Sequence, residues 1–187
     1  MKILSFLLVL LTLPAYGAEV GGVRMDDKMR LGSAELSLNG AGVRKLVFFS
    51  VYAMGLYLPK TTASGPEAIA QEGPKRISLH MLRDVGAERF SSALAEGIRE
   101  NHSEAELKVL EPRVRALNDI MGEVTEAKKG MNITLDWNGA ATQVGIDGKA
   151  AGKPIEGADF YQALLRIWLG EKPVQDDLKK ALLGAPR

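Results

Sequence analysis

Arg44, Ser50 and Tyr52 are the residues of this 187-residue chain whose types and spacing best suit recognition of an anion. If the segment that starts near Gly42 is one continuous strand to Pro59, its even-numbered residues share a face, because side chains alternate along an extended backbone. Arg44, Ser50 and Tyr52 then stand among Leu46, Phe48, Met54 and Leu56. A guanidinium offers a rigid fork to a carboxylate, and a phenol can donate one more hydrogen bond. Large apolar neighbours suit an apolar body behind that head group. On parity alone the pattern is weak, since an arginine at a strand start commonly ends in solvent and a tyrosine commonly packs with its hydroxyl at the sheet edge.

Other chemistries lack their residues. There is no cysteine, which removes disulfide frameworks, thiol nucleophiles, Cys-ligated zinc and Cys-ligated iron–sulfur clusters together. The two histidines, His80 and His102, are too few for an all-histidine metal site. His80 falls on the polar parity of a strand, and His102 stands just before a helix start, where a cap or a solvent-facing ring is the ordinary role. Gly40-Ala41-Gly42 lacks the spacing of a phosphate loop, and there is no nucleophile elbow. Glu104, Glu106 and Glu111 lie beside Lys108 and Arg113 and read as an exposed charged helix flank. No metal or cofactor is expected.

Composition sets the frame around these residues. Twenty-four Lys and Arg against 23 Asp and Glu leave a net charge of +1, so the basic excess that phosphate contacts require is missing and no nucleic-acid partner is expected. With 46% hydrophobic residues the chain can bury the core of one ordinary domain. The start is not part of that domain. Met1-Lys2, the apolar run Ile3–Leu13 and the small residues around Pro14–Ala18 have the layout of a secretory signal peptide. Cleavage after Gly17 places Ala15 and Gly17 at the small-residue positions, giving a signal over 1–17 and one domain over 18–187. The run is well short of the ~20 apolar residues a membrane span needs. The expectation is an exported, periplasmic protein with no stable membrane insertion after cleavage.

The elements that must position the candidate residues follow from periodicity. Residues 19–42 read as short extended segments punctuated by glycine. Lys45–Pro59 is apolar on both parities, so it should be covered on both faces. Thr61–Gly73 is a loop with a helical turn at Pro66–Gln71, and Arg76–Leu82 is a strand. Phe90, Leu94 and Ile98 predict an amphipathic helix over roughly 86–99. Ser103 and Glu106 form a capping box that opens a second helix, which Pro112 should kink or split. Met131–Trp137 alternates as a strand, Asn138-Gly139 is a two-residue hairpin turn, and Val144 and Ile146 lie on the return strand. Helices over Asp159–Leu169 and Gln175–Leu183 close the chain. This is an α+β domain with an antiparallel sheet packed against helices.

Leu38-Asn39-Gly40-Ala41-Gly42-Val43-Arg44-Lys45 with Phe48-Phe49-Ser50-Val51-Tyr52-Ala53-Met54-Gly55-Leu56-Tyr57-Leu58 resembles the signature of the chalcone isomerase-like family. The likeness continues through Ile77–Val85 and from Asp159-Phe160 to Ile167-Trp168-Leu169-Gly170, and covers nearly all of the mature chain. It is nearest the exported bacterial branch. The resemblance implies an open-faced β-sandwich, in which a layer of helices covers a large antiparallel sheet and encloses a ligand cleft.

It also implies roles. In the plant fatty-acid-binding members an arginine and a tyrosine at the positions of Arg44 and Tyr52 hold the fatty-acid carboxylate. In the true isomerases the arginine is kept, while a tyrosine, an asparagine and a threonine complete the site. Here Glu106 or Leu107, Arg113 and Ile167 stand at those three positions, which argues against flavanone-forming cyclisation. Some mitochondrial relatives bind haem through a histidine, for which His80 is the strand histidine at hand.

The expected function is non-catalytic binding of a small amphipathic anion such as a fatty acid, with Arg44, Tyr52 and Ser50 as ligand-binding residues. The alternatives are an isomerase or lyase in which Arg44 stabilises an anionic intermediate, a haem-binding module, or a protein-interaction module. Arg44 and Tyr52 would await the ligand, so neither is expected to matter for folding. Export is checked by N-terminal sequencing of periplasmic material: it should begin at Ala18, and a chain still beginning at Met1 would contradict the signal.

Overall fold

The computed structural model describes residues 17–184. Apart from Gly17, the signal peptide expected over 1–17 lies outside the described residues. In chain order the elements are β1 (Ala18–Val20), β2 (Val23–Met25), β3 (Lys28–Leu31), β4 (Ala34–Leu46), β5 (Phe49–Leu58), α1 (Gly65–Ala70), β6 (Lys75–Met81), β7 (Val85–Gly86), α2 (Ala87–Glu100), α3 (Glu104–Gly122), β8 (Glu126–Ala127), β9 (Asn132–Trp137), β10 (Ala141–Ile146), β11 (Lys149–Glu156), α4 (Ala158–Leu169) and α5 (Asp176–Leu182). One seven-stranded sheet runs in the order β11-β10-β9-β6-β5-β4-β3, antiparallel throughout. Two small ribbons, β1 with β2 and β7 with β8, stand beside it. The large antiparallel sheet with its layer of helices is the α+β architecture expected.

The strand expected to run unbroken past Arg44 and Tyr52 is instead a hairpin. β4 continues unbroken through Gly40 and Gly42 to Leu46, the chain reverses at Val47 and Phe48, and β5 returns. This turn carries none of the Gly, Asn, Asp or Pro that marks a hairpin, and Val47 takes φ +54°. The glycines serve close approach, not a turn. A Cβ on Gly40 would stand 2.2 Å from the Ala181 carbonyl oxygen, and one on Gly42 would stand 2.8 Å from the Leu178 side chain, so their bare backbone is the groove in which α5 lies.

Two residues of the hairpin have no partner across the ladder. Leu38 pairs with Tyr57 and Gly40 with Leu56, which leaves Asn39 extra; Arg44 pairs with Tyr52 and Lys45 with Ser50, which leaves Val51 extra. Each bulge bends its strand and shifts the alternation by one. At the first, Asn39 Nδ2 donates to the carbonyls of Leu182 (2.7 Å) and Thr62 (3.0 Å), while its Oδ1 accepts from the Thr62 amide (2.6 Å). The bulge thus turns one amide inward to tie down both α5 and the chain leaving β5.

The central strands are covered on both faces, as their apolar parities require. Met54, Leu56, Ile77, Leu79, Ile133 and Leu135 face the helices, whereas Ala41 and Ala53 face Val20 and Met25 of the β1–β2 ribbon. α4 is buried nearly all round, and two polar anchors fix it to the sheet. The Tyr161 hydroxyl donates to the Leu135 carbonyl at 3.1 Å, with its ring stacked on Trp137. Two turns later Trp168 Nε1 donates to the Tyr52 hydroxyl at 2.9 Å.

Three smaller expectations are corrected. α3 opens on the Ser103–Glu106 capping box but is not split at Pro112. Lys108 and Pro112 are both exposed, so the carbonyl deprived of its partner can turn to water. The β9–β10 turn falls at Gly139-Ala140, one residue later than expected, because Asn138 Oδ1 accepts the amides of Ala140 and Ala141. The eight-residue β11 is not foreseen: with Gly152 and Pro154 inside it and mostly exposed side chains, it lacks an apolar alternation to betray it.

Lys75 tests this core. It is 3% exposed, its Nζ donates to the Ile69 carbonyl, and burial pushes its pKa down to about 8. The folded chain therefore resists protonating Lys75 while the unfolded chain does not. The resulting destabilisation is fully present below about pH 8 and fades as pH rises toward the ordinary lysine pKa of roughly 10.4. Lys75→Met should accordingly raise the melting temperature at pH 7 by more than it does at pH 10. Melting curves at the two pH values check this, and an equal gap at both would contradict it.

Candidate functional site

A cavity of about 700 Å³ opens between the β4–β5 hairpin, α2 and the strap that links α4 to α5. α2 reaches it because Phe90, Leu94 and Gly97 recur at helical spacing along its inner face. The hairpin contributes Val51 and Tyr52, both lining although they are adjacent in sequence, which the bulge at Val51 makes possible. Ile167 of α4 and Val174 of the strap complete an apolar lining. The size and apolar character are those of a small-molecule site.

Arg44 and Tyr52 meet here as direct partners across the β4–β5 ladder, not as neighbours along one strand. The Arg44 side chain is half-buried; Nη1 donates to the Lys45 carbonyl and, at 3.3 Å, to Gln175 Oε1. Gln175 also accepts the Lys45 amide at 2.8 Å and donates to the Val43 carbonyl, so the start of α5 clamps this part of β4. Nε and Nη2 of Arg44 have no protein partner among the described residues.

Tyr52 is buried, with its ring edge-on to Phe90 at 6.4 Å. Burial pushes its pKa up to about 12, against smaller opposing effects of the Trp168 hydrogen bond and the Arg44 charge, so the phenol keeps its proton at neutral pH. Its oxygen is already an acceptor, from Trp168, and among the described residues nothing takes its proton. The phenol is therefore a donor whose proton has no protein acceptor.

The charges around the cavity are unevenly compensated. Lys172 lies 3.5 Å from Glu100, and Glu96 is paired with Arg99. Asp84 accepts the Lys129 amide at 2.7 Å. Arg44, Arg83 and Arg89 also line the cavity and have no carboxylate partner among the described residues. An apolar space edged, among the described residues, by three guanidinium groups without a carboxylate partner, against the one unpaired carboxylate of Asp84, suits an amphipathic anion.

Ser50, the third expected residue, does not join this site. It is exposed, pairs with Lys45 and is absent from the lining, because the extra residue at Val51 reverses the parity that would have aligned it with Tyr52. Of the positions where the isomerases carry other side chains, Ile167 lines the cavity, Glu106 is spent on the capping box and Arg113 pairs with Asp159 on the surface. His80 does not line the cavity: it pairs with Ala53 on the ribbon-facing side, and burial lowers its pKa. His102 Nε2 faces the Arg166 guanidinium at 2.9 Å; arginine only donates, so the ring proton lies on Nδ1 and goes to the Ile98 carbonyl at 2.7 Å. Among the described residues no three His, Asp or Glu side chains group to hold a metal.

Sequence reasoning missed Gln175, Arg83, Arg89 and the polar role of Trp168. Only Trp168 carried a usable signal, since a buried indole needs an acceptor for its N–H. Gln175 is placed by contacts across more than 100 residues of chain and Arg83 by a loop, while Arg89 lies on the predicted helix α2, where nothing local marks which of its charged residues reaches a cavity.

In comparisons with known proteins, no curated sequence matches the chain. A solved structure with the same fold is a crystal structure of an Arabidopsis thaliana fatty-acid binding protein, with a TM-score of 0.68 and 14% identity over 87% of this chain and 92% of that one. A family model described as chalcone isomerase-like matches residues 17–184, and the chain belongs to that family.

Proposed function

We propose that the protein is a non-catalytic periplasmic carrier of a small amphipathic anion such as a fatty acid. The observation that carries this reading is the direct pairing of Arg44 with Tyr52 at an apolar cavity: a cation with two unpartnered nitrogens beside a phenol with an unclaimed proton. A carboxylate enters an apolar space at acceptable cost only when paired and hydrogen-bonded. Arg44 supplies the charge, Tyr52 the hydrogen bond, and Phe90, Leu94, Ile167 and Val174 surround the tail. The related fold of the Arabidopsis fatty-acid binding protein is consistent with this use of the cleft.

Binding of palmitate, with methyl palmitate as the uncharged control, tests the reading. Arg44→Ala should weaken palmitate binding by about 2–5 kcal/mol, the range for removing one partner of a buried charge pair. It should leave the melting temperature nearly unchanged, since its protein contacts are few and partly exposed. Tyr52→Phe should weaken binding by about 0.5–1.5 kcal/mol and also, against the sequence expectation, destabilise the fold by about 1–3 kcal/mol, because Trp168 Nε1–H is left buried without an acceptor. Equal affinity for acid and ester would end the carboxylate reading. Turnover of a chalcone that Arg44→Ala abolishes would replace it with the isomerase one.

A further inference from the structure

The β4–β5 turn exposes an unbroken apolar tip beside the cavity. Leu46 is 54% exposed, Val47 76%, Phe48 94% and Phe49 58%; among the described residues the other large hydrophobic group so exposed is Val109, on α3. Four consecutive apolar side chains at the end of a two-stranded projection form a patch of the kind that marks an interaction surface. The tip is also strained. Val47 holds φ +54°, a region that a β-branched residue occupies at a cost where Gly or Asn would sit readily. Local folding therefore gives no reason for valine here.

Charge identifies the occupant. The loops packed at this end of the sheet are joined by the Leu82 amide to the Val51 carbonyl, the Gly130 amide to the Met81 carbonyl, and the Lys129 amide to Asp84. These links put Lys45, Arg83, Lys128 and Lys129 at the same end of the sheet as the tip, against the carboxylates of Asp84 and Glu126 in the same loops and ribbon. Arg83 lies over the Phe49 ring, 4.6 Å from its centre. Counting Arg44 together with Asp176 and Asp177, which follow Gln175 at the start of α5, leaves the sign positive. An apolar projection inside a basic collar is complementary to an anionic bilayer, where aromatic side chains settle at head-group depth and each basic residue adds attraction. Leu46 and Phe49 also line the cavity, so the tip and the cavity mouth are contiguous.

We propose that the hairpin tip Leu46–Phe49 docks the protein on an anionic lipid surface, with Val47 and Phe48 entering the head-group layer and Lys45, Arg83, Lys128 and Lys129 facing the lipid phosphates. This docking needs no ligand in the cavity. It gives the strained, exposed turn a function and brings the cavity mouth to the membrane face.

Co-sedimentation of the signal-free chain with vesicles of phosphatidylcholine, alone or mixed with phosphatidylglycerol, is the test. Wild type should sediment with the mixed vesicles, not with phosphatidylcholine alone, and raised salt should release it. Phe48→Ser should lower vesicle affinity about tenfold or more. Lys128→Gln and Lys129→Gln should each lower it about fivefold. Val47→Asn relieves the strained turn, so it should melt no lower than wild type while still losing vesicle affinity, which separates docking from folding. Palmitate affinity should be unaltered by Phe48→Ser, since Phe48 is not a lining residue, so the docking and the carboxylate clamp stand or fall separately. Absence of sedimentation with mixed vesicles, or undiminished sedimentation of Phe48→Ser, would overturn the proposal. So would analytical ultracentrifugation showing a dimer that Phe48→Ser dissolves, because the tip would then cover a second copy of the chain.

Discussion

The hydrogen bond from Trp168 Nε1 to the Tyr52 hydroxyl joins the helical layer to the hairpin at the edge of the cavity. Buried indole and phenol groups both need partners, and here each satisfies one requirement of the other. The indole proton is spent, so the phenol oxygen is fixed as an acceptor and its own proton is left over. Tyr161, seven residues earlier on the same face of α4, makes the matching attachment to Leu135. Between these two points the helix cannot rotate or slide without stranding a polar group in the core. The lining that Ile167 presents to the cavity inherits that rigidity.

The rest of the site depends on departures from regular pairing. A ladder without the extra Val51 would hold the strict alternation that places Ser50 and Tyr52 together. With it, Val51 and Tyr52 both reach the cavity and Ser50 does not. Asn39 is the same device used for attachment: the bulge directs its amide to α5 and to the segment after β5. One bulge shapes what the ligand would meet, and the other fixes the helix whose preceding residue, Gln175, orients Arg44.

Much of this fold was legible in the sequence because its cues are local. The helical spacing of Phe90, Leu94 and Ile98, the Ser103–Glu106 box and the alternation over Met131–Trp137 each reflect forces within a few residues. The hairpin was misread because Leu46–Phe49 continues an apolar, β-rich run, and because Gly40 and Gly42 look like a break when their missing side chains make room for α5. Residue parity along one strand points to Arg44 and Tyr52 for the wrong reason; they share a face because they oppose each other across two strands. Gln175 stands 131 positions from Arg44, and no local pattern announces a contact of that reach.

The glycine groove of β4 also orders events in time. α5 follows every other element of the fold along the chain, and its seat on Gly40 and Gly42 is made by one of the earlier strands. During synthesis, which proceeds from the N-terminus, the backbone of that seat stays uncovered until α5 emerges. Arg44 waits with it, because the glutamine that holds it immediately precedes the same helix. The corner that holds Arg44 is thereby completed after the sheet it stands on, and a chain halted before α5 would carry the sheet without Gln175 to hold Arg44.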